Sequence, residues 1–420
     1  MFKSKYVRNI LTLVSSALFA QILALLLTPI LTRLYSPEEF GVFTAFISYS
    51  GTLAVFIFLS LELAIVKCKS SRELSSVLGL MLVISLVLLS VLCITIYLES
   101  AFYTFIGFDK LFDIKELVLL GVLFSATNLV LNQFITRKEK FSVYATSQVS
   151  FVALRFVFSY LFFYLGYTQY GLVFGFTLAT ILIIIYLSYS TDIYKESLSL
   201  RKVHLFAAFR KHKQLVIFNT PSNIINMLII NFPLFLILKN YGLEAAGLFG
   251  LAYRMVMLPV TLVNKAVGQV IYRRFSAMSI SDKGMLSFII KNILFLALSF
   301  PGFVLVYIFG EEIFSFIFGV EWGVAGVYAT LMSPFIFLSF VISPLSYYFV
   351  AYDKSDLLMI ISTLFLGVLI LASVLMDFVD ESDFIKTYTL INVAYYITVL
   401  VVIMLGVKRA QLNAKNKEYY

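Results

Sequence analysis

The chain is poor in the residues on which water-soluble proteins depend. Only 13% of its 420 residues are charged and 61% are hydrophobic, whereas soluble domains carry about 25% charged and about 45–50% apolar residues. A soluble core of this length cannot hide so much apolar surface, so a water-soluble protein is excluded. The two cysteines, Cys68 and Cys93, are too few to build a secreted disulfide scaffold.

The chain also lacks the motifs of common enzyme and metal sites. His204 and His212 are the only histidines and form no HExxH pattern, and there is no CxxC pair, P-loop or dinucleotide-binding fingerprint. The acidic run at 380–383 is typical of a solvated loop rather than a metal site. We therefore expect inert thiols, no metal, no cofactor and no enzyme activity.

Long apolar stretches recur along the whole chain. A helix needs about 20 mainly apolar residues to cross a bilayer, and the sequence contains twelve such stretches joined by short connections. We predict an all-α integral membrane protein with about twelve transmembrane helices. The predicted spans are 10–32, 38–66, 77–97, 117–136, 141–165, 171–189, 215–238, 246–270, 287–309, 325–350, 357–376 and 385–406.

Basic residues alternate between the connections. Of the 32 lysines and arginines, 23 lie in the N-terminus, the even-numbered connections and the C-terminus, and five lie in the odd-numbered connections. The positive-inside rule then predicts that both termini face the cytoplasm. The net charge of +9 follows from this topology and from contact with lipid headgroups, so it does not indicate nucleic-acid binding.

A short internal repeat relates the two halves of the chain. Residues 35–43 read YSPEEFGVF and residues 241–249 read YGLEAAGLF, with four identities at an offset of 206 residues. Both copies precede the second span of a half, and an even number of spans per half gives the halves the same orientation. We predict two six-helix lobes, 1–195 and 215–420, related by a parallel repeat and joined by a basic cytoplasmic linker at 196–214.

The first copy of the repeat has the residues of a helix start. Ser36 can cap the second span, Pro37 suits its first turn, and the two glutamates that follow suit the positive end of a helix. Gly41 and Gly247 are equivalent in the two copies and would let helices approach closely. We interpret these features as structural rather than as a ligand site.

These features resemble a known family. Twelve spans, a basic central connection and the segment LTRLYSPEEFGVF at 31–43 are similar to the polysaccharide transporter family. That family includes flippases of O-antigen units and other lipid-linked oligosaccharides, within the multidrug/oligosaccharidyl-lipid/polysaccharide exporter superfamily. The second repeat copy departs from the pattern because it lacks the Ser-Pro pair.

The resemblance implies a structure and a reaction. It implies two six-helix lobes around a V-shaped cavity in the bacterial inner membrane. Alternating access of this cavity would move a polyprenyl-diphosphate-linked oligosaccharide from the cytoplasmic to the outer leaflet. Polysaccharide polymerase and glycosyltransferases of the same pathway are the partners that it suggests. A monomer is expected, because the two lobes of one chain already build the cavity.

Ionisable residues inside the spans mark candidate substrate contacts, since charges in a bilayer are costly and usually face a cavity. Arg254 and Lys265 share one face of the eighth span, because their separation is close to three helical turns. Arginine and lysine suit a diphosphate, whereas amide side chains suit sugar hydroxyls. Alternatively, such residues pair with backbone carbonyls or form bonds between helices. The candidate cavity residues are Arg254, Lys265, Arg155, Gln148, Asn219, Asn223 and Asn226.

Glu62 is the one acidic residue well inside a predicted span. It lies near the cytoplasmic end of the second span, and Lys265 lies near the cytoplasmic end of the eighth span, its counterpart in the other lobe. We hypothesise that Glu62 and Lys265 pair across an inner gate and that protonation of Glu62 couples transport to a proton gradient. A static buried pair, or a contact of Glu62 with Lys67, is the alternative.

Three functions are compatible with the sequence. A flippase accounts for the cationic candidate cavity and is the leading interpretation. A drug or small-molecule exporter of the same superfamily is the second, although a cation exporter should place carboxylates in its cavity. A membrane polysaccharide polymerase is the third, but the predicted outer connections are short for a catalytic loop. Because no ATPase module is present, energy would come from a proton or sodium gradient or from the substrate's own gradient.

Overall fold

The computed structural model describes the backbone of residues 2–98, 107–193, 204–376 and 378–417. The side chains of 2–11, 14, 265, 416 and 417 lie outside this description. The described residues are helical, without a β-strand. This agrees with an apolar chain in a bilayer, where the backbone of a spanning segment must satisfy its own hydrogen bonds.

We number the principal helices in chain order. The first unit of helices reaches from the N-terminus to the middle of the chain, and the second continues to the C-terminus. The helices are α1 (Phe2–Leu31), α2 (Pro37–Ile57), α3 (Ser71–Tyr97), α4 (Lys115–Arg137), α5 (Phe141–Tyr164), α6 (Thr168–Thr191), α7 (Leu205–Gln214), α8 (220–241), α9 (243–277), α10 (Met285–Phe318), α11 (Gly323–Ile342), α12 (Ser355–Leu375) and α13 (Glu381–Lys417).

The apolar helices agree with the predicted spans. Ten segments of the described residues are long and apolar enough to cross a membrane, and Ser15–Leu31 within α1 is a shorter apolar helix. One of the ten, Leu205–Ala277, is interrupted at Gly242, whose backbone angles are φ 88° and ψ −169°. Because α8 and α9 lie on either side of this glycine, the described residues contain the twelve apolar helices that the sequence predicts.

The second span ends earlier than the sequence predicts. Helix α2 stops nine residues before the predicted boundary, and Leu59 and Ser60 take left-handed backbone with φ 49° and 60°. A short 3-10 turn follows at Leu61–Leu63 and contains Glu62. The left-handed conformation costs about 1–2 kcal/mol for each non-glycine residue. The prediction of one continuous helix over 38–66 is therefore corrected, because tertiary contacts described below hold the break open.

The chain divides into two compact units, Met1–Gly247 and Leu248–Tyr420. The first unit contains α1 to α8, so the predicted seventh span belongs to the compact body formed by the first six. The boundary between units falls within α9, after the second copy of the repeat has begun. The predicted lobe boundaries at 195 and 215 are drawn from the sequence repeat, not from how compactly the helices pack. They stay a prediction.

Helix α2 lies at the centre of the first unit. Phe46 and Tyr49 on this helix are fully buried. Tyr49 stacks on Phe235 of α8 with ring centroids 4.4 Å apart, and Phe46 packs edge-on against Phe176 of α6 at 5.8 Å. Offset-stacked and edge-to-face contacts are the favoured arrangements of aromatic rings, so α2 is held on both sides.

The second unit has its own core near one end of the helices. Phe275 at the end of α9, with Tyr348 and Phe349 after α11, is fully buried in a cluster that also contains side chains of α10 and α13. The Tyr352 hydroxyl donates to the carbonyl oxygens of Phe275 and Met278 at 3.0 and 3.1 Å. These bonds give side-chain partners to carbonyl groups at the end of a helix, where intrahelical donors run out.

Candidate functional site

The start of α2 is built as the sequence predicts. The Ser36 hydroxyl accepts a bond from the Glu39 backbone N–H at 3.3 Å, and the Glu39 carboxylate accepts one from the Ser36 N–H at 2.8 Å. Pro37 occupies the first turn. This reciprocal capping box satisfies two backbone donors at the end of the helix, and the predicted cap is confirmed.

The two copies of the repeat meet at their equivalent glycines. A Cβ atom on Gly41 would lie 1.8 Å from the carbonyl oxygen of Leu243. A Cβ atom on Gly247 would lie 1.9 Å from the carbonyl oxygen of Pro37 and 2.7 Å from the backbone nitrogen of Gly41. The predicted close approach is confirmed, because only glycine leaves room for backbone to touch backbone at both positions.

A polar junction holds the break after α2. The Ser60 side chain is 1% exposed. Its hydroxyl oxygen lies 3.2 Å from the hydroxyl of Thr220 and accepts a bond from the Asn223 amide at 3.1 Å. Both partners lie on the first turns of α8. These bonds anchor the Ser60 side chain to α8, so they hold the chain in place where it leaves the helical conformation.

The asparagines of the predicted polar stripe have different surroundings. Asn223 is half-buried and bonded to Ser60, whereas Asn219 and Asn226 are exposed. A further asparagine that the sequence analysis did not single out, Asn231, donates to the hydroxyl of Thr52 on α2 at 3.2 Å. One edge of α8 therefore bonds to α2 and to the break that follows it, while Asn219 and Asn226 are exposed.

Arg155 and Gln148 lie on the neighbouring helix α5. Arg155 is only 9% exposed, and its guanidinium carbon lies 5.6 Å from the centre of the Phe43 ring of α2. Arginine stacked on an aromatic ring gains a cation–π interaction. Gln148 is half-buried. Arg155 is thus placed inside the first unit, against α2, and its surface is not open.

Arg254 lies in the second unit, on α9. Its side chain is exposed, as is that of Thr261, and the two positions are nearly two full turns apart on the same face. The backbone of Lys265 continues this face by one more turn. The side chain of Lys265 lies outside the described residues, so its proposed contact with Glu62 stays a prediction. Glu62 itself is 8% exposed.

A group of tyrosines in the second unit was not predicted. Tyr388 is buried, and Tyr253, Tyr395 and Tyr396 are half-buried. The hydroxyl of Ser339 donates to that of Tyr396 at 2.8 Å, and the Tyr395 hydroxyl lies 3.1 Å from that of Ser362. The signal was present in the sequence, since residues 388, 395 and 396 lie on one side of α13 at helical spacing. Tyr396 and Tyr395 thus supply polar contacts of α13 with α11 and α12 in the second unit.

The arrangement of the helices is that of a known class of transporter. A multidrug resistance MATE family transporter of the MOP superfamily, solved in an inward-facing conformation, matches with a TM-score of 0.72 and 14% identity, covering 93% of this chain and 95% of that one. The lipid II flippase MurJ in an inward closed conformation matches with a TM-score of 0.71 and 14% identity, covering 96% and 90%. The chain therefore has the same fold as these two transporters.

A family model narrows this class. The model described as polysaccharide biosynthesis protein matches residues 30–326, which is more than half of the chain. The chain therefore belongs to the polysaccharide biosynthesis protein family and is a multi-pass integral membrane protein. A MATE family transporter in an outward-facing conformation matches less well, with a TM-score of 0.56, 13% identity and coverage of 96% of both chains. No curated protein sequence matches the chain.

Proposed function

We propose that the protein is a flippase of polyprenyl-diphosphate-linked oligosaccharide repeat units, such as O-antigen units. It moves them from the cytoplasmic to the outer leaflet of the bacterial inner membrane by alternating access. The observation that carries the proposal is the family match over residues 30–326 on a transporter fold. Both termini are proposed to face the cytoplasm because the basic connections and the two termini share one side.

The exposed face of α9 is the proposed contact with the diphosphate. The planar guanidinium of Arg254 can donate two parallel bonds to phosphate oxygens, and Lys265 adds a point charge on the same face. The exposed Asn219 and Asn226 are proposed to bind sugar hydroxyls. Arg155 is buried against Phe43, so we assign it to holding α5 on α2 rather than to contact with the headgroup.

The capped start of α2 and the break after it are proposed to work at opposite membrane faces. The contact of Gly41 with Gly247 is proposed to lie on the outer side of the membrane, and Glu62 beyond the break is proposed to lie on the inner side. Protonation of Glu62 is the proposed coupling step. The inward movement of protons, or the gradient of the lipid-linked substrate, is the proposed source of energy for transport.

The test is the leaflet in which the lipid-linked oligosaccharide accumulates. In a deletion strain, a glycan-trimming enzyme added from outside should leave the oligosaccharide intact, and the wild-type gene should restore trimming. Arg254→Ala should fail to restore it. The exposed Arg273, on the same helix α9, provides the control, because Arg273→Ala removes an equal charge away from the proposed face. Trimming in the deletion strain itself would refute the flippase proposal.

A small-molecule exporter of the same superfamily is the second candidate. It is favoured by the likeness of the fold to multidrug resistance transporters. Drug sensitivity of the deletion strain without any change in glycan would support it. The cationic rather than acidic residues on the exposed face of α9 speak against export of cations.

A further inference from the structure

Three metal-ligating side chains converge where α7 packs on the beginning of α3. The Cys68 sulfur, a Glu73 carboxylate oxygen and a ring nitrogen of His212 all lie within 4.8 Å of one another. Cys68 and His212 are 5% and 7% exposed. Sulfur, nitrogen and oxygen ligands together are the donor set that Zn²⁺ takes in proteins.

The spacing of two of the ligands already suits a tetrahedral ion. The Nε2 atom of His212 lies 3.3 Å from Oε1 of Glu73. Bonds of about 2.0–2.3 Å to zinc in tetrahedral geometry place neighbouring ligand atoms about 3.3–3.8 Å apart. The Cys68 sulfur lies within 4.8 Å of the other two ligand atoms, so it has to approach each of them by about 1.3 Å at most to complete this geometry.

The surrounding bonds hold the ligands in orientation. The other carboxylate oxygen of Glu73 accepts the backbone N–H of Lys69 at 3.2 Å, and the Glu73 N–H donates to the Ser70 hydroxyl at 3.2 Å. The carbonyl oxygen of Cys68 accepts a bond from Arg137. In metal sites, hydrogen bonds of this kind orient the side chains that bind the ion. They leave Oε1 of Glu73 directed at His212.

A lysine already pairs with the carboxylate oxygen that would bind the ion. Lys211 Nζ lies 2.7 Å from the same Oε1 atom of Glu73, and the Lys211 side chain is 57% exposed. An exposed lysine can leave an ion pair at little cost, because such pairs contribute less than about 1 kcal/mol. Lys211 and Arg137 are nevertheless two positive charges beside the site. They oppose a divalent cation and set its affinity.

We propose that Cys68, Glu73 and His212 bind one Zn²⁺ ion, with Lys211 displaced and water as the fourth ligand. Glu73 and His212 are 139 residues apart in the chain, so the ion connects α3 to α7. The proposal does not depend on the transported substrate. It departs from the expectation, drawn from sequence position, that Cys68 is inert.

The experiment uses Co²⁺ as a spectroscopic substitute for zinc in full-length protein purified in detergent and stripped with a chelator. We expect one Co²⁺ per chain, a sulfur-to-cobalt charge-transfer band, and loss of the band when Zn²⁺ is added. Cys68→Ser should abolish the band, whereas Cys93→Ser should retain it. His212→Ala should lower the affinity for Co²⁺ by at least roughly tenfold. Substitutions of residues that only orient the ligands of a metal site already cost this much. The Lys211→Ala variant should bind Co²⁺ more tightly than the wild type does.

A band that persists in Cys68→Ser, or that is absent from both wild type and Cys93→Ser, would overturn the proposal. A second measurement needs no ligand variant. In the wild type, Zn²⁺ should slow maleimide labelling of Cys68 and leave that of Cys93 unchanged, with peptide mapping to separate the two. Equal rates with and without Zn²⁺ would also refute the site.

Discussion

The contact between Gly41 and Gly247 leads to the sharpest prediction. In Gly41→Ala the new Cβ would lie 1.8 Å from the Leu243 carbonyl oxygen, and at separations below 3.0 Å something must shift. The backbones must therefore separate by at least 1.2 Å. Since the obstructing atom is backbone, no side-chain rotation relieves the clash. Overpacking of this kind costs about 1–3 kcal/mol.

A glycine-to-alanine substitution can also stabilise a helix, and a second glycine on α2 allows this opposite effect to be measured. Replacing an interior helical glycine with alanine stabilises a helix by about 0.5–1 kcal/mol. Gly51 lies on α2 as well, and a Cβ there would meet no atom within 4 Å. We therefore expect Gly51→Ala to be neutral or stabilising and Gly41→Ala to be destabilising.

Thermal unfolding of the purified protein in detergent is the assay, with midpoints compared at one heating rate because membrane proteins often unfold irreversibly. Gly247→Ala should also lower the midpoint. The double variant should lose less than the two single effects together, since one separation relieves both clashes and contacting residues couple by about 0.5–3 kcal/mol. If Gly41→Ala were as stable as Gly51→Ala, or if the two losses were additive, the close contact of the repeat copies would be refuted.

Other predictions concern single side chains. Ser36→Ala removes the cap of α2 and should destabilise the protein by about 1 kcal/mol in the same thermal assay. Tyr35→Phe removes the 2.6 Å bond from its hydroxyl to a backbone carbonyl on α5 and should cost about 0.5–1.5 kcal/mol. Ser60→Ala leaves the two α8 partners unsatisfied, so protease cleavage after α2 should become faster. Burial and a neighbouring glutamate raise the pKa of the Cys68 thiol to about 11. In metal-free protein its alkylation should therefore be slow at pH 7 and should accelerate up to about pH 11, with a small cysteine peptide as reference.

Local physics was sufficient for the helices and for the start of α2. The length of each apolar run determines a span because a bilayer demands an unbroken hydrogen-bonded helix. The cap at Ser36 depends on residues three positions apart, so the sequence alone predicts it. The repeat predicted that Gly41 and Gly247 are equivalent and suited to close packing. It did not predict that they contact each other.

Only the tertiary structure determined which polar residues are buried, bonded or exposed. Helical periodicity places a residue on a face but does not say what covers that face. For this reason Arg155 and Arg254 are equivalent as sequence signals, yet one is buried against an aromatic ring and the other is exposed. Position in the sequence did not separate Asn223, which is bonded, from Asn226, which is exposed.

The break after α2 and the Cys68–Glu73–His212 cluster depend on distant partners. The left-handed backbone at Ser60 is unfavourable by itself and is supported by bonds from α8, which lies 160 and 163 residues further along the chain. Glu73 and His212 approach because α7 folds back onto α3. Local propensity and hydrophobicity act over a few residues and determine the helices. Contacts between residues so far apart in the chain exist only once the helices have packed.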